Sequence, residues 1–292
     1  MVVEKLLSGL TFIRANQSGL LCVLGGFLLN LCFSLDFSYA NLNTYITSYM
    51  RSNGNNDNLE YKDFIFLSAT KSMSQGLLMF VGGLMSHQLG ARVSIVIGCI
   101  TLLLGYSLTF LTLDSTFPMV ILSIGCCHGL GFCLVYSTVV GVAQQWFPAT
   151  IRGLISSLVL SGYGFGSFMW IPMETAFVNP NNVDPAGDGY YVDEGLLSRV
   201  PWLFLAIGGC LAGLSLPGVL LLRWVSRRIG INPREPPKPA DDDESMKLGN
   251  CEDNSMSEVV PRSMTPRQVL QSKVFYKIWL GQFANALSQV SF

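Results

Sequence analysis

Six apolar segments, each long enough to cross a lipid bilayer as a helix, constrain the fold of this chain more than any other feature. A membrane-spanning helix needs about 20 mostly apolar residues. The six segments lie at residues 19–46, 63–86, 93–113, 117–140, 152–175 and 201–224. Only 13% of the residues are charged, about half the share expected of a soluble domain. The sequence therefore predicts an all-α membrane protein built as a six-helix transmembrane bundle.

Two further segments follow the sixth apolar run. Residues 226–272 are rich in proline, serine and acidic residues and show almost no apolar periodicity, which predicts a disordered linker. Residues 273–292 form a seventh apolar run. We therefore expect three parts: a six-helix domain over 1–225, the linker over 226–272, and a seventh transmembrane helix over 273–292.

The distribution of lysine and arginine predicts how the bundle is oriented. When the loops are assigned alternately to two sides, thirteen Lys and Arg residues fall on the side of the N-terminus and three on the other. Positive residues remain on the cytoplasmic side. We expect a multi-pass protein whose N-terminus and linker are cytoplasmic, in the plasma membrane or an internal membrane.

Several classes of function are disfavoured by the composition. The net charge of −1 and the lack of a dominant basic patch argue against a nucleic-acid partner. Seven of the eight cysteines fall in apolar runs, so we interpret them as packing residues rather than disulfides. Only two histidines are present and no phosphate-binding loop occurs, so we expect no metal, no cofactor and no enzymatic activity.

Three ionisable side chains stand out within the predicted spans: Asp36, Lys71 and His128. An ionisable residue inside a membrane is a functional hypothesis by default, because a central charge costs roughly 2.5–3.5 kcal/mol on insertion scales. His128 is either a hydrogen-bonded packing residue or a site of proton coupling.

Lys71 belongs to a polar stripe on the second predicted span. Ser68, Lys71, Ser72 and Gln75 recur at the spacing of one helix face. At 1.5 Å per residue, Asp36 and Lys71 lie about 25 and 22 Å from the cytoplasmic ends of their helices, so the two can pair. The pair is either structural, or it faces a central cavity where it attracts a carboxylate anion or couples a proton. The remaining alternative is a lysine that snorkels to the outer surface.

Other polar side chains are also candidates for a substrate path. Asn30 and Tyr39 lie on two polar stripes of the first span, and Tyr136 and Tyr163 lie on the fourth and fifth spans. Tyr136 and Tyr163 could hydrogen-bond a carboxylate, although core packing with a satisfied hydroxyl is the alternative.

Two turns carry recognisable motifs. The turn "GGLMSHQLGARVSIVIG" places Gly83, Gly90 and Arg92 between the second and third spans. The turn "QQWFPATIRGLISSLVLSGYGFGS" contains the candidate gate residues Trp146, Pro148, Arg152 and Gly153. These stretches, together with "NLNTYITSYMR" and "MTPRQVLQSKVFYKIWL", resemble the major facilitator superfamily and, within it, the oxalate/formate antiporter and monocarboxylate transporter-like branch. His87 and Gln88 depart from the acidic and basic residues usual in the first motif.

The resemblance implies secondary transport of a small organic anion across the lipid bilayer, with a coupled proton or a counter-anion. Members of this family have twelve helices, so five are absent here, and a missing C-terminal half or a partner chain would complete the carrier. The alternative is a truncated isoform or fragment that does not transport and acts as a structural or regulatory membrane protein.

Overall fold

The computed structural model of the chain describes residues 17–53 and 58–228, together with residues 272, 276, 277, 280 and 281. The described residues form helices and turns and contain no strand. The helices are α1 (Gln17–Phe33), α2 (Tyr39–Ser52), α3 (Ile65–Leu89), α4 (Ala91–Thr112), α5 (Phe117–Val120), α6 (Cys127–Gln144), α7 (Arg152–Val178), α8 (Glu194–Leu197) and α9 (Val200–Arg228). Three 3-10 segments, Ser34–Ser38, Tyr61–Phe64 and Ala149–Ile151, and one π segment, Ile121–Cys126, complete them.

These helices make six candidate membrane spans within the described part of the chain. They are span 1 (Gln17–Ser52), span 2 (Tyr61–Leu89), span 3 (Ala91–Thr112), span 4 (Phe117–Gln144), span 5 (Ala149–Val178) and span 6 (Glu194–Leu222). The prediction of an all-α bundle with six spanning helices is confirmed. The predicted linker and seventh helix fall almost entirely outside the described residues, so the three-part division stays a prediction.

Span 1 is the central helix of the bundle. It packs against spans 5 and 6, while span 3 packs against spans 4 and 6, and span 2 packs against span 4. Gly162 lets span 5 approach closely, because a Cβ atom there would lie 2.3 Å from the carbonyl oxygen of Phe27. A second glycine, Gly90, is needed for its backbone conformation, because its φ of 88° lets α3 join α4 directly.

Span 1 is also broken in the middle. The 3-10 segment Ser34–Ser38 separates α1 from α2 and changes the hydrogen bonding of the backbone there. Trp170 of span 5, which is fully buried, donates its indole hydrogen towards both the Leu31 carbonyl and the Ser34 hydroxyl, each at 3.0 Å. Irregular backbone at membrane depth is tolerated where neighbouring protein satisfies it.

The cysteines only partly follow the packing interpretation. The seven described cysteines are free thiols, and Cys22, Cys32, Cys99 and Cys133 are buried. Cys210 is exposed on span 6, so packing inside the chain does not explain it. Its sulfur lies 3.7 Å from that of Met173.

Candidate functional site

Four polar side chains converge on the carboxylate of Asp36, two by ion-pair contact and two by hydrogen bond. Lys71 Nζ and His128 Nε2 each lie 2.9 Å from Oδ1. The Tyr163 hydroxyl donates to Oδ2 at 2.5 Å, and the Gln75 amide donates to the same atom at 3.0 Å. These five residues are called the Asp36 cluster below. The ion pair that the matching depths of Asp36 and Lys71 predict is present.

The five members of the cluster come from four spans of the bundle. Asp36 lies in the break of span 1, where the 3-10 backbone turns its side chain towards span 2. Lys71 and Gln75 are four residues apart, so they share one face of α3. His128 follows the π segment of span 4, and Tyr163 comes from α7 of span 5. The cluster therefore joins spans 1, 2, 4 and 5.

The cluster is almost fully removed from solvent. The side chains of Asp36, Lys71 and His128 are 7%, 9% and 0% exposed. A buried carboxylate is tolerated when opposite charge and hydrogen bonds replace its hydration. With a neutral His128 the three groups sum to zero charge, and with a protonated His128 they sum to +1.

Two aromatic rings extend this network. The Lys71 ammonium lies 3.9 Å from the centre of the Tyr39 ring, a cation–π contact. The other ring nitrogen of His128, Nδ1, lies 3.2 Å from the Tyr106 hydroxyl. Tyr106 is fully buried on span 3, so span 3 also contacts the cluster.

A cavity of about 810 Å³ reaches the cluster from one end of the bundle. Its lining residues are Asp36, Phe37, Tyr39, Ala40, Asn43, Tyr61, Lys62, Phe64, Ile65, Ser68, Lys71, Ser72 and Tyr163. The wide end lies at the start of span 2, which we call the Tyr61 end. There the exposed Lys62 pairs with Glu60 at 2.7 Å. Lys71 and Tyr163 line the inner end, whereas His128 lies behind Asp36 and is not among the lining residues.

The remaining candidates for the substrate path lie in different surroundings. Asn30 is buried and donates to the Gly26 carbonyl at 3.0 Å, one turn away on its own helix. Tyr136 stacks on Phe132 with ring centres 4.5 Å apart and meets Tyr163 edge-on at 5.9 Å. These contacts place Tyr136 beside the Asp36 cluster, and they place Asn30 in the packing of span 1.

The candidate gate residues form two turns at the opposite end, which we call the Gly90 end. Arg92 begins α4 and is half-buried, while a Cβ on Gly83 or Gly153 would meet nothing within 4 Å. In the second turn, Arg152 donates from Nε to the Phe147 carbonyl at 3.2 Å. Pro148 caps the 3-10 segment Ala149–Ile151, and Trp146 is half-buried beside Gly19.

Sequence reasoning missed a fourth ionisable residue within the spans. Glu174, near the end of span 5, is fully buried. Its carboxyl group meets the Ser38 hydroxyl at 2.6 Å and the Asn41 amide at 2.9 Å. The available signal was a carboxylate within a predicted span, which is also the signal that identified Asp36. No group of three or more metal-ligating side chains occurs in the described part of the chain.

A helical bundle with a broken central span and a buried ion pair at the end of a cavity has the architecture of a membrane carrier. The chain belongs to the Major Facilitator Superfamily, because the sequence model of that family matches residues 26–292. The superfamily predicted from the turn motifs is thereby confirmed. Membership points to a transporter rather than an enzyme.

Three characterised proteins are similar to this chain. Apicoplast pyruvate carrier 1 of Toxoplasma gondii is 25% identical, and the match covers 94% of this chain and 59% of that carrier. Apicoplast pyruvate carrier 2 of the same organism is 22% identical over 69% of this chain and 37% of its own length. The oxalate:formate antiporter of Oxalobacter formigenes is 28% identical over 43% of this chain and 28% of its own. The match therefore spans little more than half the length of the first carrier and a smaller share of the other two proteins.

Proposed function

We propose that this chain serves secondary active transport of small organic anions, of the monocarboxylate or oxalate/formate type, by alternating access. The observation that carries the proposal is a buried lysine, Lys71, at the inner end of a cavity. Lysine is costly at membrane depth, and charged residues there typically mark a substrate or ion pathway. A cationic group at the end of a cavity suits a carboxylate ligand.

The geometry of the Asp36 cluster allows Lys71 to change partners. When a substrate carboxylate enters the cavity, it competes with Asp36 for the lysine ammonium. Asp36 would keep three donors, from Gln75, His128 and Tyr163, and would not be left unpaired. The cost of breaking a buried pair is therefore reduced. Ser72, which also lines the cavity, adds a hydroxyl beside the lysine.

The related proteins support this class of substrate. Two are named as pyruvate carriers and one as an antiporter of oxalate and formate, and all of these compounds are small carboxylates. The break in span 1 beside the cavity supports the mechanism, since transporters commonly build central sites from discontinuous helices. Transport of the organic anion would be coupled to a proton or to a counter-anion.

Orientation determines which side the cavity faces. With the N-terminus in the cytosol, as the charge distribution predicts, the Tyr61 end faces outward or into an organelle lumen. The cavity of this structure would then be accessible from the non-cytosolic side. The Gly90 end, with its two motif turns, would form the cytoplasmic gate.

The proposal is tested by uptake of labelled pyruvate, lactate, formate or oxalate into liposomes that contain the purified protein. Lys71→Gln keeps the side-chain polarity but removes the charge, and we expect the initial rate at low substrate to fall by about tenfold or more. Lys62→Gln is the matched control. Because Lys62 is exposed at the wide end, we expect less than about a threefold effect.

The same assay separates the alternatives. Uptake driven by an inward pH gradient indicates a coupled proton, whereas uptake driven by anion loaded inside the vesicle indicates exchange. An equal rate for wild type and Lys71→Gln would contradict the role of the lysine. If the wild-type chain transports none of the four anions, the alternative of a structural or regulatory membrane protein takes its place.

A further inference from the structure

We propose that Glu174 is a proton-binding site distinct from the Asp36 cluster. Its carboxyl group is protonated at neutral pH and hydrogen-bonds to the break in span 1. The proposal rests on hydrogen counting around a fully buried carboxyl group. It concerns a group that the proposed anion site does not use.

The first step is the number of hydrogens available at Ser38. Its hydroxyl oxygen lies 2.6 Å from Glu174 Oε1 and 3.0 Å from the carbonyl oxygen of Leu35. A serine hydroxyl has one hydrogen to donate. If Glu174 is ionised, Oε1 and the Leu35 carbonyl are two acceptors that compete for that hydrogen. One of the two short contacts would then bring two oxygen atoms together without a hydrogen between them.

Protonation of Glu174 removes this conflict. The Oε1–H group donates to Ser38 Oγ, and the Ser38 hydroxyl donates to the Leu35 carbonyl. At the other carboxyl oxygen, Oε2 accepts from the Asn41 amide at 2.9 Å, and Asn41 Oδ1 faces the Thr175 hydroxyl at 3.4 Å. Each polar atom of this chain of contacts then has a partner of the right kind.

The charges around Glu174 agree with a neutral group. Among the described residues, no lysine, arginine or histidine lies within ion-pairing distance of it. The titratable groups that interact electrostatically with it are tyrosines: Tyr39 and Tyr45 of span 1 and Tyr106 of span 3. A buried carboxyl group with no opposite charge is far cheaper to keep protonated than ionised.

Asp36, only two residues from Ser38, provides the contrast. It faces four donors, two at each oxygen, and two of these belong to potentially cationic side chains. An ionised carboxylate suits two nearby cations and two donors, whereas a protonated one would direct a hydrogen of its own at one of these groups. One short backbone break therefore contains a charged carboxylate, Asp36, and contacts a neutral carboxyl group, Glu174 of span 5.

Release of the proton would change the contacts of the break. The Oε1–H bond breaks, its electron pair remains on Oε1, and the proton passes to a water molecule that enters beside Oε1. The Ser38 hydroxyl can then turn to Oε1, and the Leu35 carbonyl loses that donor. Proton occupancy at Glu174 is in this way tied to the conformation of residues 34–38.

Infrared spectroscopy of the full chain reconstituted in lipid tests this without any transport assay. At pH 7 we expect the wild type to show the C=O stretch of a protonated carboxylic acid. Glu174→Gln should abolish that band, while Asp36→Asn should leave it. Ser38→Ala should shift the band, because the acid loses its hydrogen-bond acceptor. A purely structural role for Glu174 as a carboxylate predicts no such band in any form.

Wild-type protein labelled with 13C-glutamate keeps the test decisive if a variant does not fold. The isotope should move the band to lower frequency, since solvated glutamates are ionised at pH 7 and do not contribute. A wild type without the band, or a band that neither 13C-glutamate nor Glu174→Gln changes, would overturn the proposal. Neither result depends on whether the chain transports anions.

Discussion

At the scale of single residues, Asp36 shows how two or three potential charges can be held inside an apolar bundle. Lys71 and His128 each lie 2.9 Å from Oδ1, while Gln75 and Tyr163 donate to Oδ2, so four polar groups replace its hydration. The cluster is buried because every charge in it faces an opposite charge or a polar hydrogen.

This arrangement predicts a specific pattern of rescue. Lys71→Ala leaves Asp36 without its permanent cation, and we expect it to lower the free energy of unfolding by about 3 kcal/mol. Adding Asp36→Asn removes the unpaired charge and should restore most of that loss. Thermal unfolding of the purified protein, followed by fluorescence, measures both.

The Lys62→Ala variant is the control for this experiment, because Lys62 is exposed and paired only with Glu60. We expect the unfolding temperature of this variant to stay close to that of the wild type, because solvent screens an exposed ion pair. If the double variant is as unstable as Lys71→Ala alone, Asp36 and Lys71 do not stabilise one another.

At this scale the sequence predicts some contacts and misses others. Distance along two helices is enough to match Asp36 with Lys71, because both are measured from the same membrane surface. The contacts of His128 and Tyr163 with Asp36 depend on how spans 4 and 5 rotate about their axes, which one sequence does not specify. Glu174 was overlooked near the edge of a predicted span, although it is fully buried.

At the scale of elements, the break in span 1 organises the site. Beside the break, the Leu31 carbonyl accepts a hydrogen bond from Trp170 of span 5. The break also places Asp36 in contact with Lys71 and Ser38 in contact with Glu174. The apolar pattern of residues 19–46 predicts a span but contains no proline to mark a break. The 3-10 segment results from tertiary contacts with span 5, so periodicity alone could not locate it.

The close approach of spans 1 and 5 gives a prediction at this scale. Gly162→Ala places a methyl group 2.3 Å from the Phe27 carbonyl oxygen, so the two backbones must separate. We expect a loss of about 1–3 kcal/mol in the free energy of unfolding, which a lowered unfolding temperature would report.

Gly164→Ala is the matched control on the same helix, because a Cβ there meets nothing within 4 Å. It should unfold within about a degree or two of the wild type, since alanine favours a helix. Equal unfolding temperatures for the two variants would show that spans 1 and 5 do not approach closely at Gly162.

At the scale of the whole molecule, the six spans form a bundle in which one cavity leads from the Tyr61 end to the Asp36 cluster. The six-span architecture follows from apolar segment length, which is why the sequence predicts it well. The cavity does not follow from segment length, because it is lined by side chains from spans 1, 2 and 5, which are far apart in the sequence.

The proposed transport requires that an organic anion binds beside Lys71 in this cavity. Ser68 lines the cavity one helical turn from Lys71, so a Ser68→Cys thiol reports on occupancy. The measurement is the rate at which a charged methanethiosulfonate reagent modifies this thiol, with the unsubstituted chain as the background for native cysteines. We predict that pyruvate or oxalate slows the modification, that the uncharged amide of pyruvate does not, and that Lys71→Gln abolishes the protection. Modification at one rate with and without the anions, or protection that persists in Lys71→Gln, would contradict the claim.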